Sequence, residues 1–343
     1  MKQYLFYIAH NYAFEILRPL QQEIRIRGGN VAWFVEGNEI NPAYFQQDDQ
    51  ILDTVKQVVD FNPRAVFVPG NIVPDFIPGL KVQVFHGFEW KKKGHFRERG
   101  CFDLYCTQGP FFTNRFEQIR ANHPHFTVIE TGWLKTDTLF NATAYDWPNK
   151  RDVKTILYAP TFSPALTSAS ALFEDIAVLA KTHQDWQWII KFHPKMADNL
   201  VQQYQSLSSE NIHVIETAEL APILQAADVI VSDTSSIITE FGLLNKPIVT
   251  FNNKEPEVHL LNISDSKYLF SAIEQALKAE QSLLEKIKHN TNLMHPYFDG
   301  SSSGRVLDAT EKTIQSPPVG LKTKPRNWLR KFKMRKKLGY WNF

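Results

Sequence analysis

The stretch DVIVSDTSSIITEFGLLNKPIV, residues 228–249, sets the fold class and raises the question of function. Its run Val229 to Val231 is short and wholly apolar, as a buried strand is. A second apolar stretch, Ile237 to Leu244, carries helical spacing and stops before Lys246-Pro247. Between them stand Ser232, Asp233, Thr234, Ser235 and Ser236. One such residue caps a helix, and ordinary N-capping explains one of the five. An anion site is the other reading: a helix starting near 234–236 offers free backbone N–H groups and the positive end of its dipole, and hydroxyls add donors for phosphate oxygens. Taken alone, the stretch leaves both readings open.

The same strand-to-helix alternation runs through the chain. Residues 4–9, 31–35, 65–69, 81–85, 103–107 and 126–130 read as strands, with helical character at 12–27, 51–61 and 110–121. After a polar connector near 145–152 the pattern restarts, with strands at 155–159, 186–192, 212–215, 228–232 and 247–251. Helical segments near 169–183, 219–227, 235–244 and 266–279 fall between them, and a last helix near 282–294 is placed to cross back to the first domain. Fully apolar strands alternating with helices predict doubly wound parallel sheets, so the expected fold is α/β: two Rossmann-like domains facing a cleft. The expected division is 1–148, 149–310 and a basic tail, 311–343.

At 343 residues, 43% hydrophobic and 22% charged, the chain is long enough for two cored domains and has a globular composition. Cys101 and Cys106 lack a partner pair at metal spacing and read as reduced thiols packed in a core. No signal peptide is evident at MKQYLFYIAHNYAFE, and no run of 18 apolar residues occurs, so a cytoplasmic location is expected. The net charge of +2 is uneven: residues 321–343 hold nine Lys/Arg and no acid, which leaves the rest at −7. That asymmetry predicts attachment to an anionic partner.

Ligands of open α/β sheets sit outside the carboxyl ends of the strands, so polar clusters that follow strands are the candidate sites. Besides 232–236 there are four. In VQVFHGFEWKKKG, 82–94, His86 follows a strand, with Gly87 permitting close backbone approach, and is a candidate general base. In WIIKFHPKM, 188–196, Pro194 fixes a turn that holds His193 at a strand tip. In ILYAPTF, 156–162, a strand runs into Pro160 and Thr161. In HPYFDGSSSGRV, 295–306, a Gly/Ser turn precedes Arg305; a flexible surface turn and a phosphate-binding role fit it equally well. None of these has the spacing of a metal site.

Together the clusters resemble the CDP-glycerol glycerophosphotransferase family, which includes the teichoic acid glycerol- and ribitol-phosphate primases and polymerases. The resemblance rests on His86-Gly87 with Lys92 and Gly94, Gly132-Trp133-Leu134-Lys135-Thr136-Asp137, Leu157-Tyr158-Ala159-Pro160-Thr161, His193-Pro194, Ser232 to Ser236 with Glu240, and Asp299 to Arg305, in that order over about 220 residues. It implies a GT-B architecture and transfer of glycerol phosphate or ribitol phosphate from a CDP-alditol to a hydroxyl acceptor, releasing CMP. On that pattern His86 is the base, and His193, Thr234, Ser235, Ser236 and Arg305 hold the donor pyrophosphate. Pro160, Thr161, Ser232, Asp233 and Glu240 complete the donor side, and Gly87, Lys92, Lys135 and Asp137 stand on the acceptor side. No metal and no other cofactor is implied. The chain departs from the family pattern at Phe88-Glu89, where a small residue and Pro are usual, and at Leu134-Lys135, where Pro-Arg is usual.

The tail segment WLRKFKMRKKLGYWNF, 328–343, interleaves aromatic and basic residues as a helix lying on an anionic membrane does. A solvated tail and a nucleic-acid contact are the other readings, the latter unsupported by any second basic patch. The expectation is a peripheral enzyme on the inner face of the membrane, with a lipid-linked glycan acceptor and no nucleic-acid partner. Two alternatives are a GT-B glycosyltransferase or sugar-nucleotide epimerase, and a non-catalytic nucleotide-binding partner of a polysaccharide assembly complex.

Overall fold

In the computed structural model, which describes residues 1–88, 90–91, 94–147, 149–217 and 219–341, the apolar runs form two parallel sheets. The first contains β1 (Gln3–Ile8), β2 (Asn30–Val35), β3 (Gln50–Ile51), β4 (Ala65–Val68), β5 (Leu80–Gln83), β6 (Leu104–Thr107) and β7 (Thr127–Glu130). Helices α1 (Tyr12–Ile26), α2 (Val55–Phe61), α3 (Pro110–Asn122) and α4 (Lys135–Asn141) alternate with them. The strand order β3-β2-β1-β4-β5-β6-β7 is the doubly wound order, and it reverses between β1 and β4.

The second sheet contains β8 (Lys154–Tyr158), β9 (Trp186–Lys191), β10 (Ile212–Ile215), β11 (Val229–Ser232), β12 (Ile248–Phe251) and β13 (Leu261–Ile263). Between them run α5 (Ala169–Thr182), α6 (Asp198–Gln205), α7 (Ala221–Ala226) and α8 (Ile237–Gly242); α9 (Leu269–Lys278) and α10 (Gln281–Met294) follow. The order β10-β9-β8-β11-β12-β13 repeats the doubly wound plan and reverses between β8 and β11. Its core gathers Ile156, Trp188, Ile190, Val231 and Val249 against Leu172, Ile176 and Ile273 of the flanking helices.

The sequence places the central strands to within a residue or two, because a strand buried on both faces is apolar throughout. The edge elements escape it. Strand β3 is two exposed residues, the second of which opens the segment 51–61 expected to be helical. The helix begins only at Val55, where a reciprocal cap sets its start: Thr54 Oγ1 accepts the Gln57 N–H at 3.2 Å and Gln57 Oε1 accepts the Thr54 N–H at 3.0 Å.

The division differs from the expected one. One unit is Met1–Thr138 with Leu293–Phe343, the other Leu139–Asn292. Residues 293–310 therefore belong with the first sheet rather than the second. The reason is α11 (Ser302–Gln315), which packs along α1. Its Glu311 accepts from Tyr4 Oη at 2.8 Å and pairs with Arg64 at 3.2 Å and with Lys2.

The basic tail folds onto the first unit. It forms α12 (Trp328–Leu338), seated on the first unit by one face. Met334 is buried, Arg335 lies 5.0 Å over the Phe76 ring, and Tyr340 meets Phe76 at 4.7 Å. Lys331 pairs with Asp75 at 3.3 Å, Lys324 with Asp103 at 2.7 Å, and Lys337 with Glu36. Among the described residues, no helix is long and apolar enough to cross a membrane. In the second core, truncating Trp188, which is fully buried, is expected to cost about 3–5 kcal/mol. Urea unfolding of Trp188→Ala measures it, and a loss under about 1 kcal/mol would contradict this packing.

Candidate active site

The reversal between β8 and β11 brings the tip of β8, Ala159 to Phe162, beside the tip of β11, Ser232 to Ser236, and puts His193 after the neighbouring β9. The five polar residues divide into two groups. Ser232 and Asp233 are fully buried and turn inward. Ser232 Oγ donates to the Ala159 carbonyl at 2.6 Å. The Asp233 carboxylate accepts the N–H groups of Thr161 at 2.9 Å, Ser168 at 3.0 Å and Thr234 at 2.7 Å, and the Ser168 hydroxyl at 3.2 Å. These bonds tie the loop between β8 and α5 to the tip of β11. Thr234 and Ser236 are exposed and Ser235 is half-buried.

Ser236 makes no side-chain capping bond, so the hydroxyl set is not an over-supplied cap. The helix it precedes is only six residues long, shorter than the sequence suggests, and such a stub carries little macrodipole. Any pull on an anion here therefore comes from hydroxyls and neighbouring side chains rather than the helix. Glu240, half-buried, lies on the same short helix.

His193 stacks on Phe162 at 4.4 Å between centroids, and its Nδ1 accepts the Lys195 N–H at 3.1 Å. That bond assigns the neutral tautomer with Nε2 protonated. Burial and the nearby Lys195 and Lys191 charges push the ring's pKa below the usual histidine value. His193 is thus a neutral N–H donor fixed at the strand tip. Pro160, Thr161, His193 and 232–236 are brought together by this set of bonds; Phe162, Ser168 and Lys195, which join them, were not singled out in the sequence.

In the first unit, His86 follows β5 and is half-buried. Phe85 before it is buried and takes a left-handed φ of 58°, a conformation that costs a non-glycine residue about 1 kcal/mol or more. Three groups hold it there: Gln83 Oε1 accepts the Phe85 N–H at 3.3 Å, the Trp133 indole donates to the Phe85 carbonyl at 3.3 Å, and Gln108 Nε2 donates to the Gly87 carbonyl at 2.8 Å. His86 faces Tyr12 at 5.6 Å and His95 at 6.5 Å. Lys135 pairs with Glu15 at 3.0 Å; Lys92 lies outside the described residues.

Asp137 and Arg305 have structural partners. The Asp137 carboxylate accepts the N–H groups of Ser302 and Ser303, each at 2.7 Å, and so caps α11 from another part of the chain. Arg305 donates to the Thr131 carbonyl at 2.8 Å, pairs with Asp299 at 2.8 Å, and lies 4.1 Å over the Tyr297 ring. It belongs to the first unit and not, as expected, to the domain of the 232–236 cluster.

Trp133, Thr136 and Asp137 of one motif and Ser302 and Ser303 of the other form one buried network with His295, a residue whose quoted segment gave no sign of its role. His295 Nε2 accepts the Trp133 N–H at 3.0 Å and lies 3.0 Å from Thr136 Oγ1. Gly132, at φ +82°, leaves no room for a Cβ, which would collide with Ser302 Oγ. Phe88, one departure from the family pattern, packs edge-on against Trp133 at 5.1 Å and Phe112 at 5.8 Å. Among the described residues, no group of three or more His, Cys, Asp or Glu is placed to hold a metal ion.

Burial, reinforced by Arg305, pushes the His295 pKa down to about 4. The unfolded chain takes up that proton near pH 6.5, and the folded chain does not until about pH 4. The contribution is therefore full above pH 6.5 and falls as pH drops from there toward 4, by up to about 3 kcal/mol. Unfolding titrations of the parent and His295→Gln should differ in slope across that window; equal slopes would refute the assignment.

Comparisons with known proteins follow the same lines. Residues 84–256 match the CDP-Glycerol:Poly(glycerophosphate) glycerophosphotransferase family. The teichoic acid glycerol-phosphate primase of Bacillus subtilis (strain 168) is 28% identical over 307 residues, covering 79% of this chain and 80% of the primase. Among solved structures, the wall teichoic acid polymerase TagF (H548A) superposes with a TM-score of 0.63 at 15% identity, covering 92% of this chain and 89% of that one. A UDP-N-acetylglucosamine 2-epimerase, described as putative, from Listeria monocytogenes superposes with a TM-score of 0.66 at 15% identity, covering 93% and 98%. At that identity the two structures speak for the fold alone, the GT-B-like class with two parallel α/β sheets expected from the sequence. With half of its length matched by the family's pattern, the chain belongs to the CDP-glycerol:poly(glycerophosphate) glycerophosphotransferase family.

Proposed function

We propose that this protein transfers an alditol phosphate, glycerol phosphate or ribitol phosphate, from its CDP-linked form to an acceptor hydroxyl. One observation carries the reading: the hydroxyl residues Thr234 and Ser236, exposed, and Ser235, half-buried, stand with a neutral histidine N–H donor at the strand-order reversal of the second sheet. That is where a doubly wound sheet binds a nucleotide, and fixed donors there suit a pyrophosphate. Thr234, Ser235, Ser236 and His193 Nε2 hold the phosphoryl oxygens, while Ser232 and Asp233 fix the loop carrying Pro160 and Thr161. Arg305, held in the first unit by Asp299 and Thr131, keeps a donor-side role only within this proposal.

In the reaction the acceptor oxygen attacks the phosphorus bearing the alditol. A new O–P bond forms, the bridging P–O bond to the nucleoside monophosphate breaks, and CMP leaves. The acceptor proton passes to His86, the base of the first unit. The protein's contribution is positioning and charge stabilisation, which need no metal. CMP release against a panel of CDP-glycerol, CDP-ribitol and UDP-sugars tests the reaction. Release from a CDP-alditol alone is expected, and release from UDP-sugars alone would move the chain to the epimerase or glycosyltransferase reading. His86→Ala should lower CMP release by about 100-fold or more with donor binding retained. Unchanged release would remove His86 from the base role.

The proposed setting is the inner face of the cytoplasmic membrane, with a lipid-linked acceptor. The support is the outer face of α12, where Trp328, Leu329 and Phe332 are 70%, 81% and 57% exposed, with Trp341, Arg326, Lys333 and Lys336 also outward. Aromatic insertion with basic contacts to headgroups fits an anionic bilayer. Leu329→Glu and Phe332→Glu leave the docked face intact. Sedimentation with phosphatidylglycerol vesicles should fall in those variants, and in the parent between about 0.1 M and about 1 M salt. Salt-independent sedimentation, or none, would defeat this placement.

A further inference from the structure

The first sheet has its own reversal, between β1 and β4, and the residues there fall outside the span 84–256 matched by the family. His10 and Tyr12 follow β1, and Glu39 follows β2. His10 Nδ1 lies 2.8 Å from a Glu39 carboxylate oxygen. The Tyr12 ring, 40% exposed, stands between two histidines, 5.5 Å from His10 and 5.6 Å from His86. One turn on, Glu15 reaches Lys135, so the motif residues His86 and Lys135 both meet the start of α1.

A partly exposed aromatic ring beside a hydrogen-bonding imidazole and a carboxylate has the chemistry that recognises a polyhydroxylated group. The ring covers C–H faces, and the polar pair exchanges hydrogen bonds with hydroxyls. A sheet reversal is also where a doubly wound unit takes its ligand.

We propose that Tyr12, with the His10–Glu39 pair, binds the polyhydroxy end of the acceptor and sets which acceptor is used, delivering its hydroxyl to the histidine 5.6 Å away. This rests on the transferase reading with His86 as base, and it adds residues that neither the family's span nor the motifs include. Tyr12 is a binding residue; His10, held by Glu39, orients the hydroxyls. Nδ1 donates to the Glu39 carboxylate, which leaves Nε2 as the ring's acceptor for a hydroxyl.

Binding and turnover are measured separately. Saturation-transfer NMR on the full chain uses glycerol 3-phosphate, ribitol 5-phosphate and methyl N-acetylhexosaminides as probes. At least one probe should receive saturation from the parent protein, and Tyr12→Ala should reduce it about fivefold or more, His10→Ala by less. His86→Ala should leave the signal in place. In turnover, Tyr12→Ala should raise the KM for the acceptor with the KM for the CDP-alditol unchanged. Tyr12 is partly exposed at a helix start, so unfolding curves of the variant should match the parent. No saturation of any probe by the parent, equal saturation in Tyr12→Ala, or a rise in the donor KM overturns the proposal. Failure of every CDP-alditol to release CMP would overturn the transferase reading instead and leave the binding result to stand by itself.

Discussion

The buried carboxylate of Asp233 is the constraint on which the candidate donor side depends. It is fully removed from solvent and accepts four hydrogen bonds, three from backbone N–H groups and one from a hydroxyl. Several hydrogen bonds to one ionised oxygen pair offset the large cost of burying its charge. Those bonds come from both ends of the loop between β8 and α5, so a single side chain sets that loop's path over the strand tips. With the loop fixed, Phe162 is where His193 stacks on it, and the outward hydroxyls of Thr234 to Ser236 stand beside a rigid neighbour. The charge is buried with its hydrogen-bonding capacity filled, while Thr234 and Ser236 stay exposed and Ser235 half-buried.

The first unit is built on the same logic with a different acid. Asp137 reaches across the chain to cap α11, and this bond recruits the segment after residue 293 to the first sheet. His295, Thr136, Ser302 and Arg305 fill the space around it. The result is a firm floor under Trp133, whose indole holds the left-handed Phe85 and with it the backbone leading to His86. Two motifs that read as separate candidates are thus one support for a histidine neither of them contains. The strain at Phe85 persists because bonds on both sides of it over-determine the turn.

Much of the fold was legible because burial on both faces writes a strand as an unbroken apolar run; β4 is wholly of this kind, and β1, β8 and β11 hold such runs at Tyr4–Ile8, Ile156–Tyr158 and Val229–Val231. The misses have common causes. Strands β3 and β13 lie at sheet edges, where none of their residues is fully buried and no long apolar run appears. Helix α8 was read too long because Leu243 and Leu244 continue the helical spacing after the helix has ended. The intrachain partners of Asp137 and Arg305 left no trace in the sequence, because a carboxylate and a guanidinium in a turn look alike whether their partner is a substrate or a distant backbone. The residues joining the site, Ser168, Phe162, Gln83 and Gln108, carry no local signal, since each acts through a partner far along the chain.

What the sequence by itself determined is the periodicity: two rounds of parallel strands, the polar residues at their carboxyl ends, and the order of motifs that marks the family. Those are local properties, fixed by the alternation of apolar runs with turns and caps. Only the tertiary structure decided how SDTSS divides, with Ser232 and Asp233 spent on the fold, Thr234 and Ser236 left exposed and Ser235 half-buried. It also decided that the basic tail docks one face and exposes the other, and that residues 293–343 return to the first unit. The reason is the same in each case. Which groups turn inward depends on hydrogen-bond and packing partners tens to hundreds of residues away, and no window of the sequence contains both ends of such a contact.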